Sequence, residues 1–247
     1  MKVNRSHATT ILFAVVAATG MVRSSWGQSY TGITFTIDPS LSYFTLGGDI
    51  RDPDPDSSTV YPFIEQTPGS MTEALNGSLY TTLYGTYGSY SSIYFSSASI
   101  GVLSQPGPFD PGGLPANFAA FVDLTAVAGQ VAQGAFRNST ANFYGGGYQP
   151  IDGSGDFPVV GTTFTSSGTF DYAIPTIISG SSGFYGSAGD MSASPGNVHV
   201  SGGNVDLSIP ISGTTTQFDP STGLTADYTF AGNIVAHGVL PPPPPPP

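Results

Sequence analysis

Three aspartates spaced two apart, Asp52, Asp54 and Asp56 in the run Arg51-Asp-Pro-Asp-Pro-Asp-Ser-Ser58, carry the first hint of site chemistry in this sequence. Carboxylates at the first, third and fifth positions of a calcium loop converge on the ion. The rest of the run departs from that pattern. Ser57 stands where the sharp turn wants Gly, Phe63 where a bidentate Glu belongs, and Pro53 and Pro55 stiffen the backbone. The segment therefore reads first as a solvated acidic turn with Arg51 as its local counterion, and second as a weak extracellular calcium site. No other cofactor is expected. Glu65 and Glu73, the only glutamates, flank a Thr67-Pro68-Gly69 turn, and a hairpin there would bring them together. Two carboxyls held about 5 to 10 Å apart are what a glycosidase needs, but the aromatic and polar walls of its cleft are not legible here. His199 and His237 lack a metal-ligand spacing such as His-Glu-x-x-His, and no Gly-x-Ser-x-Gly elbow occurs. His199, between Val198 and Val200, belongs on the polar face of a strand. The chain is read as a non-enzyme. The other conspicuous resource is aromatic, 13 Tyr and 16 Phe, and at strand spacing these read as core and cross-strand pairs before they read as a ligand box.

Charge narrows the function classes further. Lys2 and Arg5, the apolar run Ile11 to Val22 and the small residues of Ser25-Trp26-Gly27 form an export signal over residues 1–27, with the mature chain starting at Gln28. Three of the five basic residues leave with it. What remains is Arg51 and Arg137 against sixteen carboxylates, a formal charge of −14, and no lysine. Nucleic acid and anionic membrane surfaces both need clustered cations, so neither is an expected partner. The mature chain also has no P-loop lysine, no Schiff-base lysine and no cysteine nucleophile. The expected location is outside the cytoplasm: extracellular, at the cell surface or periplasmic.

The elements that would position any site are strands. With 33 Gly, 22 Pro and only 9% charged residues, the chain reads as short β-prone runs punctuated by turn residues. Ile33, Phe35 and Ile37 line one face of a first strand, and Asp38-Pro39-Ser40 turns into Leu41 to Leu46. Leu79 to Tyr84 and Tyr90 to Leu103 flank a Gly85 to Gly88 turn. Val205, Leu207, Ile209 and Ile211 alternate with Asp206, Ser208, Pro210 and Ser212, and Pro210 marks that strand as an edge or a bulge. Phe170, Tyr172 and Ile174 alternate likewise, as do Leu224, Ala226, Tyr228 and Phe230. Only Leu114 to Val127 has helical spacing, enough for a turn or two. The fold expected is all-β, an antiparallel sandwich or barrel, as a single domain over residues 28–240. The seven prolines 241–247 follow as a disordered polyproline tail.

Several segments together resemble a known group. They are Thr36-Ile-Asp-Pro-Ser-Leu-Ser42, Gln66-Thr-Pro-Gly-Ser-Met-Thr72 followed by Asn76-Gly-Ser78, and Gln105-Pro-Gly-Pro-Phe-Asp-Pro-Gly112 before Ala135-Phe-Arg-Asn138. Leu207-Ser-Ile-Pro-Ile211 and Phe230-Ala-Gly-Asn-Ile-Val-Ala236 complete the set. In this order they are similar to exported β-rich proteins of planctomycete-like bacteria, many of which carry a PEP-CTERM-type sorting tail. After Leu240 this chain has only proline, without Pro-Glu-Pro, an apolar span or a basic end. The group brings no catalytic or binding residue to carry over. Tyr30 to Ser42 alone resembles the opening strand of YceI-like lipid-binding barrels, which implies an eight-stranded barrel with an apolar cavity. The expected function is a non-catalytic cell-surface, matrix or envelope β-protein. The alternative is a periplasmic or extracellular carrier that holds a hydrophobic ligand in a barrel.

Overall fold

The computed structural model describes residues 28–52, 56–102, 107–109, 113–145, 147–159, 162–189, 194–218 and 225–243. The leader expected over residues 1–27, Asp54, Leu224 and the last four prolines lie outside the described residues. In chain order the strands are β1 (Gln28–Ile37), β2 (Tyr43–Arg51), β3 (Val60–Glu65), β4 (Thr72–Thr86), β5 (Ser89–Val102), β6 (Gly107–Phe109), β7 (Leu114–Ala116) and β8 (Phe118–Leu124). A single helical turn, α1 (Thr125–Ala128), precedes β9 (Gln130–Gly145), β10 (Gln149–Pro150), β11 (Asp156–Phe157) and β12 (Thr162–Ile174). Then come β13 (Ile178–Gly189), β14 (Gly196–Ser201), β15 (Asn204–Phe218) and β16 (Thr225–Val239). Among the described residues fourteen strands form one antiparallel sheet, and β6 pairs with β7 apart from it.

The curvature of that sheet starts at Asp38. Its carboxylate accepts the Ser40 amide at 2.8 Å and the Ser40 hydroxyl at 2.6 Å, an Asx turn that bends β1 into β2. The two then behave as one bent strand. β1 pairs with β4 over Gln28–Thr36, whereas β2 pairs with β16 over Tyr43–Arg51. Changing neighbours midway staggers the sheet, which is how strands tilt and close. A circuit of pairings follows from β4 through β5, β9, β8, β3 and β2 back to β4. Beyond it β16, β15, β14 and β11 extend the sheet and contribute to the same apolar core. The expected all-β antiparallel architecture of sandwich or barrel type is the one observed.

Period-two alternation does what it should. Val205, Leu207, Ile209 and Ile211 are buried on β15 beside Ile33, Phe35 and Ile37 on β1 and Leu75, Leu79 and Leu83 on β4. Phe95, Phe143 and Phe157 fill the space between them. Gly213 lies under the Phe230 ring and Gly196 under the Phe157 ring, where a Cβ would collide. A second, smaller cluster gathers Tyr61, Val122, Leu124 and Ala132 with Ile50, Phe63 and Ile174.

Three details refine the sequence reading. Leu114 to Leu124 is strand and not helix: Phe118, Ala119, Ala120, Val122 and Leu124 are all buried, so β8 is covered on both faces at its start and shows no clean alternation. The helical turn is limited to α1, closed by Gly129 at φ 68°. β15 as a whole is internal, but β14 pairs with it only as far as Ser208, so Pro210 sits where that side is open and its missing N–H breaks no ladder bond to β14. The first proline after Leu240 is tied down, because its carbonyl accepts the Tyr87 hydroxyl at 2.8 Å.

Candidate functional site

The residues nominated by the sequence are dispersed into structural tasks. Asp52 accepts the Ser57 hydroxyl at 3.0 Å and makes a longer contact of 3.5 Å with the Tyr61 hydroxyl. Burial first, and then the Asp52 charge, push the Tyr61 phenol up from its ordinary value. Asp56 is exposed, and Asp54 lies outside the described residues. Arg51 reaches across to β16 and donates from Nε to Asp227 at 2.6 Å. No group of three His, Cys, Asp or Glu side chains that could hold a metal occurs among the described residues. Glu65 accepts the Gly69 amide at 3.1 Å inside the turn, and Glu73 is buried on β4 opposite Phe44.

Strand register gathers a different set. His199 on β14, Asp206 on β15, His237 on β16 and Thr36 on β1 form one cross-strand row. His237 faces Asp206 from Nδ1 at 2.7 Å and Asp38 from Nε2 at 3.5 Å. The Asp206 hydrogen bond, followed by the charges of both carboxylates, raises the His237 pKa. With a carboxylate beside each ring nitrogen, the protonated form of this imidazole is the favoured one. The other mature arginine is structural too. Buried Arg137 pairs with Asp171 at 2.6 Å and donates to the carbonyls of Leu114 and Pro115, fixing β7 against β9. Burial raises the Asp171 carboxyl, but the Ser181 hydroxyl and Arg137 outweigh it and hold it low.

Two aromatic arrangements remain. Inside the part bounded by β2, β3, β9, β12 and β16, half-buried rings run Phe63, Tyr228, Phe136, Phe170, Tyr172 with centroids 4.6 to 6.0 Å apart. Burial pushes the Tyr228 phenol up to about 12. The second arrangement lies on the opposite, outward face of β1, β4 and β5. Tyr30 sits directly across from Tyr84, with ring centroids at 4.8 Å. Tyr148, placed by the pairing of β10 with β5, touches Tyr30 at 5.9 Å, Tyr84 at 6.5 Å and Tyr94 at 5.3 Å. Desolvation, then its two phenol neighbours Tyr30 and Tyr94, raise the Tyr148 pKa. Tyr30 is 67% exposed, Tyr148 47% and Tyr80, further along β4, 46%.

The two halves of the sequence reading, core residues and cross-strand pairs, divide between the aromatic types at these positions. Phe points in, as at Phe35, Phe95, Phe143 and Phe157, while these tyrosines pair across strands on the water side. Alternation carried the signal for Tyr80 and Tyr84, since both share parity opposite to Leu79, Thr81 and Leu83. Nothing local marks Tyr148, which arrives through a distant pairing. Such ring pairs contribute roughly 0.5 to 1.5 kcal/mol beyond area burial, and Tyr30 and Tyr148 remain exposed. The chain matches no family model, no curated protein and no solved structure.

Proposed function

We propose that this chain is an exported, non-catalytic β-protein of the cell surface, matrix or envelope, and that it works as a binding surface through the tyrosine face of β1, β4 and β5. The observation that supports this reading most directly is the cluster of Tyr30 and Tyr148, both exposed, with half-buried Tyr84 and Tyr94, on a sheet whose opposite face is packed in the core. Large rings left in water on a rigid sheet are the usual raw material of recognition. The reading needs no cofactor. Its test is co-sedimentation of the purified protein with envelope and extracellular material of the producing cells. The double variant Tyr30→Ser/Tyr148→Ser is expected to lose about tenfold or more of the bound fraction while remaining folded, with a melting temperature lowered by several degrees through the lost ring pairs. Equal binding by variant and wild type would overturn it.

A second reading is supported by the half-buried chain from Phe63 to Tyr172: a carrier that holds a hydrophobic ligand among those rings.

A further inference from the structure

We propose that the tyrosine face binds a neutral polysaccharide, laid along β4. This rests on the reading of that face as the working surface and names its ligand class.

Charge decides the class first. The outward positions from Tyr30 to Thr36 on β1, from Ser78 to Tyr84 on β4 and from Ser92 to Ser96 on β5 carry only Tyr, Thr, Ser and Gly. The ion pair described on this face, His237 with Asp206, stands beside Thr36 at the end of β1 away from the tyrosines, and a mature chain at −14 repels polyanions. A cationic ligand would find Asp206 and Asp38 at that far end and no carboxylate at the outward positions around the rings. An uncharged ligand with both apolar and hydroxyl surface remains, and a pyranose has both: C–H groups on its ring face and hydroxyls around its edge. Tyrosine offers the matching pair, a ring to stack on and a phenol to donate or accept.

Shape decides the second point. The four rings that meet at Tyr148 have centroids 4.8 to 6.5 Å apart, close to the size of a single sugar unit. Tyr80 extends the same face four residues back along β4, about 13 Å away at the rise of an extended strand, with Thr82 between it and Tyr84. The platform is therefore elongated, which suits a linear chain rather than a monosaccharide. The bulge in β5 after Tyr80 strengthens this end: Ser96 donates to the Tyr80 carbonyl at 2.9 Å and holds the edge in place.

The test measures binding of the purified mature protein to soluble mixed-linkage β-glucan, xylan and dextran by affinity electrophoresis and calorimetry. Polygalacturonate, chitosan, phosphatidylcholine vesicles and sedimentation of the protein alone serve as alternatives. At least one neutral glycan is expected to bind, with affinity rising along an oligosaccharide series and then levelling off. Tyr30→Ala/Tyr148→Ala should weaken it about tenfold or more, and Tyr80→Ala should weaken only the longer oligomers. Tyr148→Phe should retain most of the binding, which a purely structural loss would not predict. Binding to none of the neutral glycans, or preference for a charged polymer, vesicles or a second copy of the chain, would overturn the inference. If envelope co-sedimentation still depends on Tyr30 and Tyr148, the surface reading survives that failure. If it does not, both fall.

Discussion

His237 shows how a single side chain acquires a pH response from strand register. In the unfolded chain it titrates near 6.5, whereas in the fold Asp206 on β15 and Asp38 in the β1–β2 turn raise its pKa. A raised folded value means that the charged form is favoured by folding. The contribution to stability is fully present below the unfolded value and is lost as pH rises through the folded one. Asp38 responds in the opposite range: its bonds from Ser40, above all, lower its pKa, so its contribution disappears only in acid. In low-salt urea unfolding from about pH 5 to about pH 9, wild type should be more stable than His237→Gln at the acid end. The two curves should converge as the imidazole loses its proton, and parallel curves would show that the clamp adds nothing. The histidines were visible in the sequence, but the carboxylates that hold His237 lie 31 and 199 positions away. Only the pairing of four strands brings the row together.

At the level of elements, legibility followed burial on one face. β1, β15 and the second half of β4 were readable because one side faces the core and the other water, which imposes a period of two. On β15 this is testable directly. Ile209→Ala should cost about 2 to 5 kcal/mol, as emptied core sites do, whereas Ser212→Ala on the outward face should stay within about 0.5 kcal/mol in urea unfolding. Similar costs at both sites would refute the assigned faces. β8 was misleading for the opposite reason. Buried on both sides around Phe118 to Ala120, it has no polar alternate positions, and its apolar residues fall by chance at helical spacing. The same limit hid the candidate site. A tyrosine pair such as Tyr30 and Tyr84 requires the register of β1 on β4, and Tyr148 requires that of β10 on β5. No motif encodes either pairing, so the sequence supplied the residues and their parity but not their meeting.

The whole molecule has two interiors of different character, and they separate the two readings of function. The larger is closed by Phe35, Leu79, Phe95, Phe143 and Ile209, all essentially without solvent access. The smaller is framed by β2, β3, β8, β9, β12 and β16, and its rings, Phe63, Phe136, Phe170, Tyr172 and Tyr228, are only half buried. β15 has 15 residues, and its outward positions include Asp206, Ser208, Ser212 and Thr214, where a membrane barrel strand carries an apolar band. Native mass spectrometry of the mature protein, prepared without detergent, tests the smaller interior. The surface-binding reading expects the bare protein mass. A stoichiometric apolar adduct released on unfolding, and absent from Phe136→Ser, would place a ligand among those rings and make the carrier the better account. The test is decisive because the two interiors share β9 and β16. A guest held between Phe136 and Tyr228 would touch the same strands that carry Phe143 and Phe230 into the closed core, so its release should also lower the unfolding temperature.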